Sequence, residues 1–264
     1  MRKLNEINLI HIDEKNLHEL KIYKQLRENA FTADNSFIAD SPKVVNIILQ
    51  TNLKIKSILA TQDYYDEFSQ LLTCRDDMKL YVITKEKMQQ IVGHKIHHNC
   101  MLHGIRPNEN SLEELDDNIL MLDEITSTEN VGSIARSAAA LGINSYLLPR
   151  KAPHPYSRRA LRVSMGHISK LKVSIYDDIF DTIKFLKLAG YKIYGAEVTP
   201  NATKLSQVII TKKWVLLMGH EGKGLSTELI NICDEIVSIE MSEDVRSLNV
   251  AVAASLIMYK FKNS

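Results

Sequence analysis

Short apolar runs alternate with amphipathic stretches through the second half of the chain. The run 214–218 (WVLLM) is apolar throughout, which indicates a strand buried on both faces and therefore a mostly parallel sheet. The alanine-rich stretch 131–141 predicts a helix that is capped by Asn130 and stopped by Gly142. The same patterns predict strands at 119–122, 146–148, 173–176, 191–196 and 236–240, and helices at 158–165, 179–188, 228–232 and 248–261.

The first hundred residues carry a shorter α/β pattern. Ser41 is a plausible cap for a helix that has Pro42 at its first position. Residues 107–118 (PNENSLEELDDN) hold five acids and only two isolated leucines, which predicts a linker between domains at 1–106 and 119–264. The helices predicted before this linker are 15–28, 42–50 and 86–92, and the strands are 55–61, 80–83 and 101–105.

The length and composition of the chain limit the classes of protein to which it can belong. A length of 264 residues fits two domains of about 150 residues each, and no run of about 18 apolar residues predicts a membrane span. The N-terminus lacks the long apolar core of a signal peptide. Cys74, Cys100 and Cys233 are odd in number and widely spaced, which argues against a disulfide framework. We therefore expect a cytoplasmic protein without a membrane partner.

Three of the ten glycines fall in the segment 219–226 (GHEGKGLS), directly after the apolar run WVLLM. Glycines at the carboxyl end of a strand let the backbone approach a ligand closely. A P-loop would need Lys and then Ser or Thr after its last glycine, but Leu225 follows Gly224. The dinucleotide fingerprint fails because Thr227 stands at the position of its third glycine. The segment therefore predicts a ligand loop of another kind, with a simple tight turn as the alternative.

Two further segments contain candidate functional residues. In the segment 130–142 (NVGSIARSAAALG), Arg136 lies six residues past the proposed helix cap. In the segment 239–250 (IEMSEDVRSLNV), Ser247 is the predicted cap of the last helix and Asn249 falls in its first turn. A structural arginine and an ordinary helix cap are the alternatives for these two segments.

The charge distribution is uneven although the net charge is only +1. From residue 130 to residue 176 there is no Asp or Glu, whereas eight Lys or Arg residues occur. Such a one-signed stretch predicts a phosphate-binding surface. The alternative is a solvated face whose acidic partners lie elsewhere in the sequence.

A group of histidines near residue 100 invites a zinc site. The histidines are His94, His97, His98 and His103, with Cys100 among them, and their spacing matches no usual zinc signature. We expect no metal and interpret this region as a loop that contacts RNA or solvent.

Together, the glycine segment and its two companions resemble the motifs of the SpoU/TrmH family of RNA 2′-O-ribose methyltransferases. The family pattern is Asn-x-Gly-x-x-x-Arg, then a strand followed by Gly-x-Glu-Gly-x-Gly-Leu, then Ser-Leu-Asn before a final helix. This sequence has all three in that order. The segments HPYSRRALRVSMG and FIADSPKVVNIIL are also similar to the connector and to the N-terminal extension of family members.

The resemblance implies an α/β fold in which the C-terminal domain is a trefoil-knotted, mostly parallel sheet flanked by helices. It implies a small N-terminal α/β domain that binds RNA, and a homodimer formed through the C-terminal domain. S-adenosylmethionine is the implied cofactor, and structured RNA, either tRNA or rRNA, is the implied partner. The residues implied to hold the cofactor are Gly219, His220, Glu221, Gly222, Gly224, Ile239, Met241 and Leu248.

The resemblance also implies a catalytic group made of Arg136, Ser247, Asn249 and Glu221. Because a guanidinium stays charged in proteins, we interpret Arg136 as a stabiliser of the developing alkoxide, with a phosphate or a water accepting the proton. Glu221 is the carboxylate alternative for proton removal, although orienting the loop or Arg136 is the favoured role for it. The residues expected to contact RNA are Asn130, Arg150, Arg158, Arg159 and Arg162.

Three other functions stay open from the sequence. They are a non-catalytic RNA-binding protein on the same fold, a base methyltransferase of a related knotted family, and a methylase of ribosomal RNA that confers antibiotic resistance. His220 and the segment 242–244 depart from residues that family members often have, and we expect these departures to alter the rim of the pocket or the RNA partner.

Overall fold

The computed structural model describes residues 8–12, 14–24, 34–73, 75 and 77–264. The chain divides into two compact units, of which the first contains residues 1–107 and 156–169 and the second contains 108–155 and 170–264. The stretch 156–169 therefore packs with the first unit, although the sequence places it inside the C-terminal domain. The predicted linker from residue 108 onward packs with the second unit, where Leu115 is buried.

The first unit is built on a five-stranded mixed sheet. The strand order is β1 (Leu9–His11), β4 (Lys79–Val82), β3 (Lys54–Ala60), β5 (Cys100–Ile105) and β2 (Ser36–Asp40), in which β3 pairs in parallel with β4 and antiparallel with β5. A 3-10 helix at Glu14–Lys24 replaces part of the predicted helix 15–28, whose last residues lie outside the described ones. The elements of residues 8–107 are β1 (Leu9–His11), β2 (Ser36–Asp40), α1 (Pro42–Leu49), β3 (Lys54–Ala60), α2 (Gln62–Leu72), β4 (Lys79–Val82), α3 (Lys85–Val92) and β5 (Cys100–Ile105).

The helices α1 and α3 follow from their sequences, because apolar residues recur on one face. Val44, Val45 and Ile48 of α1 are buried, and Pro42 stands at the start of this helix as expected. Ser41 stands at the N-cap position of α1 as predicted, but its side chain does not cap the helix. Its φ of 81° puts the backbone in the left-handed region, and its side chain makes no capping hydrogen bond. Pattern reading missed β1, β2 and α2.

The second unit is built on a seven-stranded sheet. Its strand order is β10 (Thr203–Lys204), β12 (Glu235–Ser238), β9 (Lys192–Ala196), β11 (Trp214–Met218), β6 (Asn118–Leu122), β7 (Ser145–Pro149) and β8 (Lys172–Tyr176). All neighbouring pairs are parallel, which confirms the predicted mostly parallel sheet. The elements from residue 108 onward are β6 (Asn118–Leu122), α4 (Thr128–Ala140), β7 (Ser145–Pro149), α5 (Arg158–Val163, in the first unit), β8 (Lys172–Tyr176), α6 (Ile179–Leu188), β9 (Lys192–Ala196), β10 (Thr203–Lys204), β11 (Trp214–Met218), α7 (Thr227–Ile232), β12 (Glu235–Ser238) and α8 (Val250–Lys262).

Strand β11 lies between β9 and β6, and all five of its residues are buried. The continuous apolar run WVLLM is therefore explained by burial on both faces of the sheet. Gly142 has a φ of 72°, which confirms it as the residue that stops α4. The trefoil knot that the resemblance implies stays a prediction.

Helix α5 forms ion pairs with a buried carboxylate of the first unit. Asp40, at the end of β2, is only 5% exposed, and its Oδ2 accepts hydrogen bonds from Arg158 at 2.7 Å and from Arg162 at 3.0 Å. Because a buried charge needs a partner, these ion pairs make α5 part of the first unit's structure.

Two of the three cysteines lie among the described residues. Cys100 and Cys233 are free thiols, and Cys74 lies outside the described residues. None of the helices that the structure describes is both long and apolar enough to cross a membrane.

Candidate active site

A pocket of about 270 Å³ opens in the second unit where β9, β11 and β12 end. Ligands of parallel α/β sheets bind outside the carboxyl ends of the strands, so this is the expected place for a site. The walls come from the residues that follow these three strands and from the first turns of α8. All eight predicted cofactor residues line the pocket: Gly219, His220, Glu221, Gly222, Gly224, Ile239, Met241 and Leu248.

The segment 219–224, which we call the glycine loop, folds back on itself. The N–H of His220 donates to the carbonyl oxygen of Gly224 at 3.2 Å, and the N–H of Gly224 donates to the carbonyl oxygen of His220 at 2.9 Å. A Cβ on Gly219 would lie 2.6 Å from the carbonyl carbon of Gly224, closer than real Cβ contacts allow. The two ends of the loop can approach this closely only because glycine stands there.

Glu197 holds the far end of the glycine loop. It directly follows β9, and its two carboxylate oxygens accept 2.8 Å hydrogen bonds from the N–H groups of Leu225 and Val198. A Cβ on Gly224 would collide with this carboxylate. The sequence reasoning missed Glu197, although a charged residue just past a buried strand of a parallel sheet was a signal that could have found it.

A chain of polar side chains connects the three sequence motifs. Asn249 donates from Nδ2 to Oδ1 of Asn130 at 3.2 Å. Asn130 in turn donates from Nδ2 to Oε1 of Glu221 at 3.1 Å. The carboxylate of Glu221 also accepts the backbone N–H groups of Ser127 at 3.1 Å and of Thr126 at 3.3 Å. We call Glu221, Asn130 and Asn249 the polar relay.

The polar relay depends on helix caps that differ from the predicted ones. Helix α4 is capped by Ser127, whose Oγ accepts from the N–H of Asn130 at 3.2 Å, so the prediction that Asn130 is the cap is wrong. Helix α8 is capped by Asn249, whose Oδ1 accepts from Ala251 at 2.9 Å. The prediction that Ser247 caps this helix is therefore wrong, because α8 begins two residues later than expected. The amide of Asn130 is left available for the relay.

The model of the SpoU rRNA Methylase family matches residues 117–259, more than half of the chain. This chain belongs to the SpoU methylase family. An uncharacterized tRNA/rRNA methyltransferase of Mycobacterium bovis, Mb0905, is 31% identical over 186 residues, which are 68% of this chain and 65% of that protein. The chain thus spans just under two thirds of the length of this relative.

Other similar proteins cover different shares of this SpoU-family chain. The 23S rRNA (guanosine-2′-O-)-methyltransferase RlmB of Acinetobacter baylyi is 28% identical over 187 residues, which are 67% of this chain and 75% of that protein. The structure of an AdoMet-bound rRNA methyltransferase from Sinorhizobium meliloti has a TM-score of 0.81 at 20% identity and covers 97% of this chain and 98% of that one. The SpoU methyltransferase AviRb from Streptomyces viridochromogenes, solved with AdoMet, has a TM-score of 0.77 at 21% identity, with 93% and 97% covered. These two structures establish the fold.

Arg136 of the SpoU motif lies on α4 outside the polar relay. It is six residues past Asn130, which places it about 9 Å farther along the helix axis. Its side chain is exposed, and it makes no hydrogen bond or ion pair with the described residues. Ser247 is also exposed and makes no side-chain hydrogen bond within the described part of the chain. Both groups are therefore open to a substrate.

The pKa values of two carboxylates, Glu221 and Asp123, are shifted in opposite directions. Burial works against the charged form of Glu221, but hydrogen bonds from the Asn130 side chain and from the backbone of Ser127 outweigh it and lower the pKa of Glu221. Burial and the nearby charge of Glu124 raise the pKa of Asp123, which follows β6. Glu221 is thus held as an anion whose oxygens are occupied by donors.

Three of the four arginines predicted to contact RNA form ion pairs with acidic residues in the structure. Arg150 forms an ion pair with Asp177, and Arg158 and Arg162 form theirs with Asp40. Arg159 is exposed. The acid-free stretch therefore finds part of its counter-charge elsewhere in the chain. The assignment of these arginines to RNA stays a prediction.

One histidine of the group near residue 100, His103, has a side-chain hydrogen-bond partner in the structure. His103 forms a 2.8 Å hydrogen bond with the hydroxyl of Ser36, and burial lowers the pKa values of His103 and His98. Among the described residues, no group of three or more His, Cys, Asp or Glu could hold a metal ion.

Proposed function

We propose that this chain transfers a methyl group from S-adenosylmethionine to a ribose 2′-hydroxyl of structured RNA. The observation that carries the proposal is the polar relay, which joins the three motifs beside one pocket at the carboxyl ends of the strands. Membership of the SpoU family supports methyl transfer to RNA. The name of the Acinetobacter baylyi relative supports the 2′-hydroxyl as the acceptor.

The residues of the pocket fit S-adenosylmethionine. Ile239, Met241 and Leu248 offer apolar surface for the adenine and the methionine chain, and the glycine loop offers backbone at close approach. The carboxylate of Glu197 brings negative charge to the wall of the pocket, which suits a ligand with a cationic sulfur and an ammonium group. When bound, the cofactor supplies an electrophilic methyl group.

In this proposal Arg136 stabilises the oxygen that attacks. Its guanidinium is always charged and carries several donors, so it can hold the developing alkoxide and the neighbouring phosphate together. The free and exposed side chain of Arg136 supports this role. A phosphate oxygen or a water then accepts the proton.

Glu221 serves as a positioning residue in the same proposal. Its oxygens accept from Thr126, Ser127 and Asn130, which leaves the carboxylate poorly placed to remove a proton from a substrate. It fixes the glycine loop against the start of α4. Asn249 fixes the start of α8 against Asn130. Both sides of the pocket are held before the substrates arrive, which is how positioning contributes to rate.

The test is the transfer of labelled methyl from S-adenosylmethionine to total tRNA and, separately, to ribosomal RNA, followed by digestion to nucleosides. We expect a labelled 2′-O-methyl nucleoside from one of the two pools. Arg136→Ala should lower kcat at least about 100-fold, since a charged donor in the transition state is lost. Arg136→Lys should rescue only part of the rate because the fork of donors is lost. Lys184→Ala, which removes an exposed cation of α6, is the matched control and should leave the rate unchanged.

Other results of the methyl-transfer experiment would contradict the proposed function or the role of Arg136. A labelled base contradicts ribose methylation and points to base methyltransferase chemistry. Absence of both cofactor binding and label contradicts catalysis and points to an RNA-binding module. A wild-type rate in Arg136→Lys contradicts the role given to the guanidinium fork.

The homodimer through the second unit belongs to the same proposal. Its support is family membership, and sedimentation equilibrium tests it directly. A monomer at all concentrations contradicts it.

A further inference from the structure

The side chain of His220 forms hydrogen bonds with the backbone of the glycine loop to which it belongs. Its ring nitrogen Nδ1 accepts a hydrogen bond from the N–H of Gly222 at 2.9 Å and another from the N–H of Lys223 at 3.2 Å. Its own backbone exchanges two hydrogen bonds with Gly224. His220 therefore takes part in four hydrogen bonds within the loop.

This geometry specifies the chemical form of the ring. A nitrogen that accepts hydrogen bonds carries no proton, so the remaining ring proton of His220 is on Nε2. Protonation at Nδ1 would turn the acceptor into a donor that faces two N–H groups. The ring can thus hold the loop only while the imidazole is neutral.

The contact pattern matches a turn that Asn and Asp commonly form. In that turn, a side-chain acceptor attached to Cγ bonds the backbone N–H two residues later. Nδ1 of His220 is also attached to Cγ, and it bonds the N–H of Gly222 two residues later. His220 consequently closes the turn in the same way as an asparagine would.

We propose that the neutral imidazole of His220 is a positioning group that keeps the glycine loop in the shape that accepts S-adenosylmethionine. This inference rests on the function proposed above. His220, Gly222 and Gly224 all line the pocket, so the shape of the loop is the shape of the pocket wall. A loop that is already ordered avoids the cost of ordering on binding.

The experiment measures the dissociation constant of S-adenosylmethionine by calorimetry for the full chain and three variants. His220→Asn keeps an acceptor on the atom attached to Cγ and should bind within about twofold of the wild type. His220→Gln moves the acceptor one bond outward, and His220→Leu removes it. Both should bind on the order of 10-fold more weakly, because two hydrogen bonds that order the loop are lost.

Rescue by the conservative variant separates positioning from a merely structural role. His220→Asn and His220→Gln both introduce a neutral amide, but only the asparagine keeps its acceptor on the atom attached to Cγ. Equal affinities of His220→Asn and His220→Gln would overturn the inference.

A nitrogen-15 NMR spectrum of the cofactor-free protein shows directly which ring nitrogen of His220 carries the proton. We expect an unprotonated Nδ1 and a protonated Nε2 at neutral pH, whereas the opposite tautomer would overturn the inference. Equal affinities of the wild type, His220→Gln and His220→Leu would overturn it as well, and thermal unfolding identifies a variant that has simply failed to fold. If the wild type binds no S-adenosylmethionine, the proposed function fails, while the spectrum still decides the form of the ring.

Discussion

Asn249 has two roles that substitutions can separate. Its Oδ1 caps α8 by accepting from Ala251 at 2.9 Å and from Val252 at 3.3 Å. Its Nδ2 donates to Asn130 in the polar relay at 3.2 Å. Asn249→Ala removes both contacts. Asn249→Asp keeps the acceptor for the cap and removes the donor to Asn130.

The expected changes in the free energy of unfolding follow from these contacts. Loss of an asparagine cap costs about 1 kcal/mol, and loss of a partly exposed hydrogen bond adds about 0.5 kcal/mol. Asn249→Ala should therefore lose about 1.5 kcal/mol. Asn249→Asp should stay within about 0.5 kcal/mol of the wild type, because its carboxylate still caps α8 and is favoured at the N-terminus of a helix.

Activity should respond differently from stability. In Asn249→Asp a carboxylate would face Oδ1 of Asn130, so the amide of Asn130 must rotate to present its Nδ2 to that carboxylate. The rotation turns Oδ1 toward Glu221 and breaks the 3.1 Å hydrogen bond that completes the relay. Asn249→Ala leaves that hydrogen bond in place but removes the one between Asn249 and Asn130. Both variants therefore interrupt the relay and should lose about 10-fold in kcat/KM, equivalent to about 1.4 kcal/mol of transition-state stabilisation.

The assay pairs urea unfolding, followed by circular dichroism, with methyl-transfer kinetics. Asp178→Ala is the control, since it removes the side-chain cap of α6 without touching the relay and should reduce stability but not activity. The reasoning is refuted if Asn249→Asp is destabilised as much as Asn249→Ala. It is also refuted if Asn249→Asp keeps the wild-type kcat/KM.

Two further predictions concern charge. The lowered pKa of Glu221 contributes stability that is present above the ordinary glutamate value of 4.5 and is lost as the pH falls through the lower folded-state value. Glu221→Gln should accordingly show a smaller loss of unfolding free energy on acidification below about pH 4.5, and an unchanged acid limb would contradict this. Asp40→Asn should destabilise the first unit by about 3 kcal/mol or more in urea, because Arg158, only 19% exposed, loses its anion. Wild-type stability of that variant would show that the pair is dispensable.

The sequence alone determined the features that depend on neighbouring residues. The bounds of α6 and β11 were predicted to the residue, because a 3.6-residue period and a continuous apolar run are local signals. The glycine loop and its companion motifs were likewise visible in the sequence, and in the structure the hydrogen bonds of the polar relay connect them. The parallel sheet followed from the burial that the run WVLLM indicated.

Only the tertiary structure decided which residues meet across long stretches of chain. Asp40 pairs with Arg158 from 118 positions away, which assigns α5 to the first unit. Asn130 and Asn249 meet across 119 positions, and neither acts as local cap preference had predicted. Helix caps and buried charges take their partners from whichever element packs beside them. Those partners are set by the packing of sheets and helices rather than by the residues on either side.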